Sequence, residues 1–169
     1  MKILLDFVLG VGLFGIATSS VYSALALLAI RRFRRRQGFC AAFEPPVSLL
    51  KPLHGAEPDL EAHLATFFQQ QYPRYEILFC ARQPEDPGLI AARNVALRFP
   101  DVPVQFLSSG EPTVPNAKIL SLQRMAEAAR YDVLIISDSD VRVDSNYVRD
   151  VVAPFADAAV GAVTCLYRG

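Results

Sequence analysis

A single long apolar stretch lies near the amino terminus. Residues 7–30 contain no charged side chain in 24 positions. As an α-helix they would rise about 36 Å, enough to cross a hydrocarbon core about 30 Å thick. Five arginines follow within residues 31–36, an order that differs from that of a cleaved signal peptide. The apolar stretch therefore predicts one transmembrane helix. The positive-inside rule predicts that the arginines and the rest of the chain lie in the cytoplasm. The alternative is a buried helix of a soluble protein.

From residue 38 onward the pattern changes to short apolar runs that alternate with amphipathic segments. The apolar runs predict strands at residues 47–50, 75–80, 102–107, 131–136 and 160–164. The amphipathic segments predict helices at residues 59–71, 87–99, 117–129 and 146–155, the first capped by Asp59. Repeated β–α units of this length predict an α/β fold with an open, mostly parallel sheet. The four consecutive apolar residues 133–136 favour a strand that is buried on both faces.

Charge divides the chain in the same place. The formal net charge is zero, but residues 1–37 hold six basic residues and one acid, so the remainder carries a charge of −5. We therefore divide the chain into a membrane anchor with a basic flank, residues 1–37, and one domain, residues 38–169. A mildly acidic domain is a poor candidate for binding nucleic acid, and no nucleic-acid partner is expected.

Two acids follow the strongest strand directly. Ligands of open parallel sheets bind at the carboxyl ends of the strands, and Asp138 and Asp140 stand at such an end. In extended backbone, side chains two residues apart share a face, so both carboxylates can approach one cation. Hard cations such as Mg²⁺ and Mn²⁺ prefer oxygen ligands. The alternative is a strand-to-turn transition in which one of the two acids caps the next segment.

Three further groups follow predicted strands. Asp86 precedes the helix that starts at Pro87, where it can cap the helix or accept hydrogen bonds from a base or ribose. Lys118 lies at a helix start and suits a bound phosphate, although it can also be a solvated surface lysine. Residues 51–55 (KPLHG) form a tight loop that lets a ligand approach the backbone.

Five spaced stretches together resemble one family. They are residues 47–55 (VSLLKPLHG), 67–80 (FFQQQYPRYEILFC), 86–87 (DP), 116–119 (NAKI) and 137–143 (SDSDVRV). The set is similar to the ceramide glucosyltransferases and to the bacterial hopanoid-associated glycosyltransferases of that group, over residues 45–169. The resemblance implies a GT-A-type fold, here incomplete, and an inverting transfer of glucose or N-acetylglucosamine from a UDP-sugar to a lipid hydroxyl. It also implies a location at the cytosolic face of a membrane, which we expect to be a bacterial inner membrane.

The resemblance also assigns residues. Asp138 matches the first acid of the metal and diphosphate motif, and Asp140 matches the second. Asp86 matches an aspartate that contacts the nucleotide, and Lys118 matches a lysine near the diphosphate. Lys51 and Pro52, in the loop after the first strand, are placed with Asp86, Lys118 and Asp138 in the nucleotide-sugar site. A divalent metal, Mg²⁺ or Mn²⁺, is the expected cofactor, and Asp138 and Asp140 are its expected ligands.

The family pattern continues with parts that this sequence does not contain. A later aspartate, which serves as the catalytic base, and a Gln/Arg-x-x-Arg-Trp motif are expected, but the sequence has no tryptophan. We therefore expect these 169 residues to be the donor-binding part of an enzyme, inactive when alone. Three alternatives remain: a polysaccharide synthase, a membrane-tethered nucleotide-sugar binder without catalysis, and a structural membrane-anchored domain.

Overall fold

The computed structural model describes residues 2–35, 43–111 and 116–165. They fall into two compact units, one within residues 1–39 and the other within residues 40–169. The first unit is a single helix, α1 (Lys2–Arg35), in agreement with the predicted helix. Its segment Asp6–Arg32 is long and apolar enough to cross a membrane by length and composition. The predicted end of the basic flank, residue 37, lies outside the described residues.

The second unit is the predicted α/β domain. Its strands are β1 (Val47–Pro52), β2 (Tyr75–Ala81), β3 (Val104–Ser108) and β4 (Val133–Ile136). Its helices are α2 (Leu60–Phe68), α3 (Pro87–Ala96), α4 (Ala117–Ala128) and α5 (Tyr147–Val152), followed by a 3₁₀ turn (Ala153–Ala156). The strands lie in the order β3-β2-β1-β4, and every neighbouring pair is parallel.

The core lies on both faces of the two central strands. Every residue of β2 is buried, as is β1 from Val47 to Lys51. On one face the sheet packs against α2, α3 and α5, where Phe68 stacks on Phe79 and Phe99. On the other face Met125 of α4 packs against Leu50 and Leu78. This two-sided burial is typical of parallel sheets.

Four sequence predictions are wrong in detail. Lys51 and Pro52, predicted to lie in the loop after the first strand, are the last two residues of β1. β4 is not buried on both faces, because Leu134 is 40% exposed and Ile136 is 54% exposed at the edge of the sheet. Residues 160–164 form no strand. Asp59 occupies the position before α2 but has a left-handed backbone (φ 56°) and its side chain forms no cap hydrogen bond. Local sequence identified apolar runs correctly, but it could not show which neighbours cover them.

A buried carboxylate joins the strands at their amino-terminal ends. Glu76 of β2 is fully buried. Its Oε1 accepts hydrogen bonds from Ser48 Oγ at 2.8 Å and from the Arg130 amide at 2.7 Å, and its Oε2 accepts one from Gln105 at 3.0 Å. Burial alone would raise the pKa of Glu76, but these hydrogen bonds and the nearby Arg130 hold it below its ordinary value of 4.5. One side chain thus links β1, β2, β3 and the turn before β4.

We expect Glu76→Gln to lower the free energy of unfolding by about 1–3 kcal/mol, because an amide cannot accept all these hydrogen bonds. Since the pKa is lower in the folded chain than in the unfolded chain, the stabilisation is complete above about 4.5 and is lost as the pH falls through the folded-state pKa. Urea unfolding of both proteins in detergent, from pH 7 to pH 3, measures the difference. A difference that grows on acidification would contradict the assignment.

Candidate active site

The strand ends meet at one edge of the sheet, and a cavity opens there. Its volume is about 760 Å³. It is lined by residues that follow β1, β2 and β4 and by the first turn of α4: Pro52, Leu53, His54, Glu57, Arg82, Asn116, Ala117, Lys118, Ser121, Asp138, Ser139 and Asp140. Pro52, Lys118, Asp138 and Asp140, predicted from sequence for the site, all line it.

The two acids follow β4 in a turn rather than in extended backbone. β4 ends at Ile136, and Ser139 and Asp140 form the turn. Ser139, between the acids, donates a hydrogen bond to Glu57 Oε2 at 2.9 Å and so ties this turn to the loop after β1. The carboxylate of Asp140 is exposed and makes no hydrogen bond or ion pair with residues 43–111 or 116–165. Both acids thus present oxygens to the cavity.

Lys118 forms an ion pair with Asp138 in the wall of the cavity. Asn116 caps α4 by accepting a hydrogen bond from the Lys118 amide at 3.1 Å, and this cap places Lys118 on the first turn of the helix. Lys118 Nζ lies 2.5 Å from Asp138 Oδ1, and both side chains are about half exposed. An exposed pair of this kind contributes little to stability, so it can exchange partners at low cost.

Lys51 was predicted to belong to the nucleotide-sugar site, but its side chain does not line the cavity. Lys51 is fully buried, whereas the next residue, Pro52, lines the cavity. Its ammonium donates hydrogen bonds to Ser137 Oγ at 3.4 Å and to the main-chain carbonyl of Asp138, and it lies 3.7 Å from the centroid of the Phe67 ring. Burial lowers the pKa of Lys51 to about 7, and the negative charges of Asp138, Asp140 and Glu57 oppose this shift.

Asp86 supports the loop after β1. Its Oδ1 accepts hydrogen bonds from the Gly88 amide at 2.8 Å and from the Gly55 amide at 3.0 Å. It is thus the N-cap of α3, one of the two predicted roles. Gly55 has a left-handed backbone (φ 66°), a conformation that glycine adopts without strain. Contact of Asp86 with a nucleotide stays a prediction, and Asp86 is not among the residues that line the cavity with Asp138.

Sequence reasoning missed Glu57 and Arg82 as cavity residues. Arg82 follows β2 directly and forms an ion pair with Glu111, and Glu57 lies five residues after β1. The available signal was position, because both residues follow strands whose carboxyl ends meet at one edge. Single charged residues in loops are common, so neither stood out without the sheet order.

The donor atoms suit a hard cation together with a diphosphate. No group of three or more metal-ligating side chains occurs within the described ranges. Mg²⁺ and related cations are commonly held by one or two carboxylates, with substrate phosphates completing the coordination. Asp138 and Asp140 supply such carboxylates, and Lys118 adds a positive charge beside them. The residues present therefore fit a metal–diphosphate complex better than a metal ion alone.

Two solved structures share this fold. A mannosyltransferase from Pyrobaculum calidifontis, solved with GDP-Man and Mn²⁺, superposes with a TM-score of 0.67 at 23% identity, over 90% of this chain and 46% of the other. Glucosyl-3-phosphoglycerate synthase from Mycobacterium tuberculosis, solved with Mn²⁺, UDP and glucosyl-3-phosphoglycerate, gives 0.54 at 18% identity, over 72% and 46%. The fold is the GT-A-type fold of nucleotide-sugar glycosyltransferases.

The sequence comparisons identify the family. The profile of Glycosyl transferase family 21 matches residues 11–169, and the chain belongs to this family. Ceramide glucosyltransferase 1 of Caenorhabditis elegans is 33% identical over 107 residues, and the ceramide glucosyltransferase of Komagataella phaffii is 33% identical over 103 residues. These matches cover 63% and 59% of this chain but only 23% and 20% of the relatives. The chain thus matches less than a quarter of their length.

We expect Gly88→Ala to disturb the loop that Asp86 supports. A Cβ at position 88 would lie 2.8 Å from the Gly55 carbonyl oxygen and 3.2 Å from Leu53 Cβ, so the backbone must shift. The expected cost is about 1–3 kcal/mol of stability, with faster hydrogen exchange at the Gly55 amide. Gly161→Ala is the matched control, because no atom lies within 4 Å of its added Cβ. Equal stability and exchange in both variants would show that the close approach is absent.

Proposed function

We propose that this chain forms the donor-binding part of an inverting glycosyltransferase. In this proposal the donor is a UDP-sugar, carrying glucose or N-acetylglucosamine, and the acceptor is the hydroxyl of a membrane lipid, either ceramide-like or hopanoid. The observation that carries the proposal is the convergence of Asp138, Asp140 and Lys118 on one cavity at the carboxyl ends of parallel strands. That combination provides carboxylates for a cation and a lysine for a phosphate in the same place.

The comparisons support this proposal at different levels. The family supports sugar transfer. The names of the relatives favour ceramide-like lipids as acceptors. Only the resemblance of residues 45–169 described above points to hopanoids. Solved structures of the same fold hold Mn²⁺ with UDP or with GDP-Man, which supports a divalent cation as cofactor. The apolar helix α1 supports a membrane location, and the arginines after it favour a cytoplasmic position for the domain.

Each residue then has a specific role in donor binding. Asp138 and Asp140 would hold the cation, whose positive charge would neutralise the diphosphate of the leaving UDP. Lys118 exchanges its ion pair with Asp138 for a contact with the diphosphate. Pro52 and the loop after β1 form the wall against which the nucleotide lies, and Asp86, which supports this loop, lies close to the base and ribose.

The transfer is a displacement at the anomeric carbon. The acceptor oxygen forms a bond to that carbon on the face opposite the diphosphate, the bond between the carbon and the diphosphate oxygen breaks, and UDP departs with the electron pair. A base must take the acceptor proton, and none of the cavity residues is assigned to that step. A membrane-tethered nucleotide-sugar binder is the alternative that shares this donor site.

We expect Asp138→Asn to weaken the binding of UDP in Mn²⁺ by at least about tenfold, or ~1.4 kcal/mol, because one metal-binding carboxylate is lost. The fold should remain, since Asp138 is half exposed and its ion pair is weak. The measurement is calorimetry on the detergent-solubilised chain in Mn²⁺ and in EDTA. Asp132→Asn is the matched control, because it makes the same chemical change in an exposed residue just before β4.

The possible outcomes distinguish a wrong donor site from a wrong role for Asp138. If the parent chain is folded and binds UDP in neither Mn²⁺ nor EDTA, the proposed donor site is wrong. If the parent binds and Asp138→Asn binds equally well, the metal role of Asp138 is wrong. Loss of binding in Asp132→Asn as well would indicate a general effect of lost charge.

Replacing Lys118 should lower the affinity for UDP and raise the affinity for Mn²⁺ alone. In Lys118→Met the diphosphate loses a positive partner, so UDP binding in Mn²⁺ should fall by about fivefold to tenfold. Mn²⁺ without nucleotide should bind more tightly, because Asp138 is no longer paired. Electron paramagnetic resonance of free Mn²⁺ measures the second affinity, and Lys118→Arg, which keeps the charge, is the control. Unchanged affinities in Lys118→Met would refute the exchange of partners.

A further inference from the structure

The buried ammonium of Lys51 is not explained by the donor site as described so far. A lysine is almost never fully buried unless its charge is paired. Lys51 is fully buried, yet its hydrogen-bond acceptors are a hydroxyl and a main-chain carbonyl rather than a carboxylate. The ring of Phe67, 3.7 Å from Nζ, provides a further favourable contact with the charge. Keeping a charge in this position is costly, which suggests a specific use.

The position of Lys51 in the sheet indicates that use. β1 and β4 pair in register up to Leu50 and Ile136. The hydrogen bond from the Ser137 amide to the Leu50 carbonyl, 3.2 Å long, is the last main-chain link between the two segments in the described structure. One residue further along, the Lys51 side chain reaches across and donates to the Asp138 carbonyl. The side chain thus extends the connection at the point where the ladder ends.

The charges around Lys51 lie on the cavity side. Asp138, Asp140 and Glu57 all interact electrostatically with the ammonium and all line the cavity. The ammonium therefore lies beneath the turn that carries both proposed metal ligands. The ring of Phe67 contacts the ammonium, and the negative charges of the three acids attract it.

We propose that Lys51 is a positioning residue of the donor site, whose buried ammonium holds the main chain at Asp138 so that the carboxylates of Asp138 and Asp140 present to one cation and its diphosphate. This inference rests on the proposed function. Lys51 acts through the Asp138 carbonyl and does not touch the donor, in contrast to Lys118, which lines the cavity. Removing the ammonium should leave the nucleotide wall in place and loosen the turn that carries the acids.

The test compares Lys51→Met with the parent chain in detergent. Methionine keeps an unbranched side chain against Phe67 but carries no charge and no donor. Binding of UDP in Mn²⁺ should weaken about tenfold, which corresponds to ~1.4 kcal/mol. Binding of UMP in EDTA should be unchanged, because UMP keeps the base and ribose but has no diphosphate to share with a cation. Val95→Ala, a buried substitution on α3 outside the cavity lining, is the control for lost stability.

A double variant separates positioning from a purely structural role. If Lys51 acts through the acidic turn, Lys51→Met should cost little further affinity once Asp138→Asn is present. The inference is overturned if Lys51→Met binds UDP in Mn²⁺ like the parent, if its loss is fully additive with that of Asp138→Asn, or if Val95→Ala loses as much. If neither Lys51→Met nor Lys51→Gln folds, Lys51 serves the fold rather than the site, and the inference is also overturned. A folded parent that binds no UDP refutes the proposed function itself.

Discussion

The parallel pairing of β1 with β2 on one side and β4 on the other is the constraint on which the site depends. The register aligns Leu50 with Ile136 and Pro52 with Cys80, so these three strands end within a few residues of one another. Because they are parallel, the loops that follow all emerge at the same edge. Residues that are more than 80 positions apart, such as Pro52 and Asp138, therefore line one cavity.

The two ends of the sheet use polar groups in different ways. At the amino-terminal ends, the Glu76 carboxylate is surrounded by hydrogen-bond donors and fully satisfied. At the carboxyl ends, Lys51 brings a positive charge beneath a group of acids, and the carboxylates of Asp138 and Asp140 remain accessible. The first arrangement stabilises strand order. The second leaves oxygen ligands open to a binding partner, as a metal–diphosphate site requires.

Sequence patterns predicted most of the elements and placed the candidate residues after strands, because both inferences depend on local features. The apolar run at β4 followed by two acids needed no knowledge of other segments. The predictions that failed depended on distant neighbours: the exposure of Leu134 and Ile136 follows from the edge position of β4. The burial of Lys51 was equally hidden, because it depends on Phe67 and on the turn at Asp138. From sequence, Lys51 was assigned to the nucleotide-sugar site, but nothing in the sequence showed that its side chain is buried.

Asp138 contacts two lysines, one through its main chain and one through its side chain. Its carbonyl accepts from the buried Lys51, and its carboxylate pairs with the half-exposed Lys118. A main-chain contact in the interior costs much to break, because it would leave a buried ammonium with only its longer hydrogen bond, to Ser137 Oγ. An exposed ion pair costs little to break. In the proposed donor site, the turn would therefore stay in place while the carboxylate of Asp138 exchanged Lys118 for a cation, and Lys118 would then be available to the diphosphate.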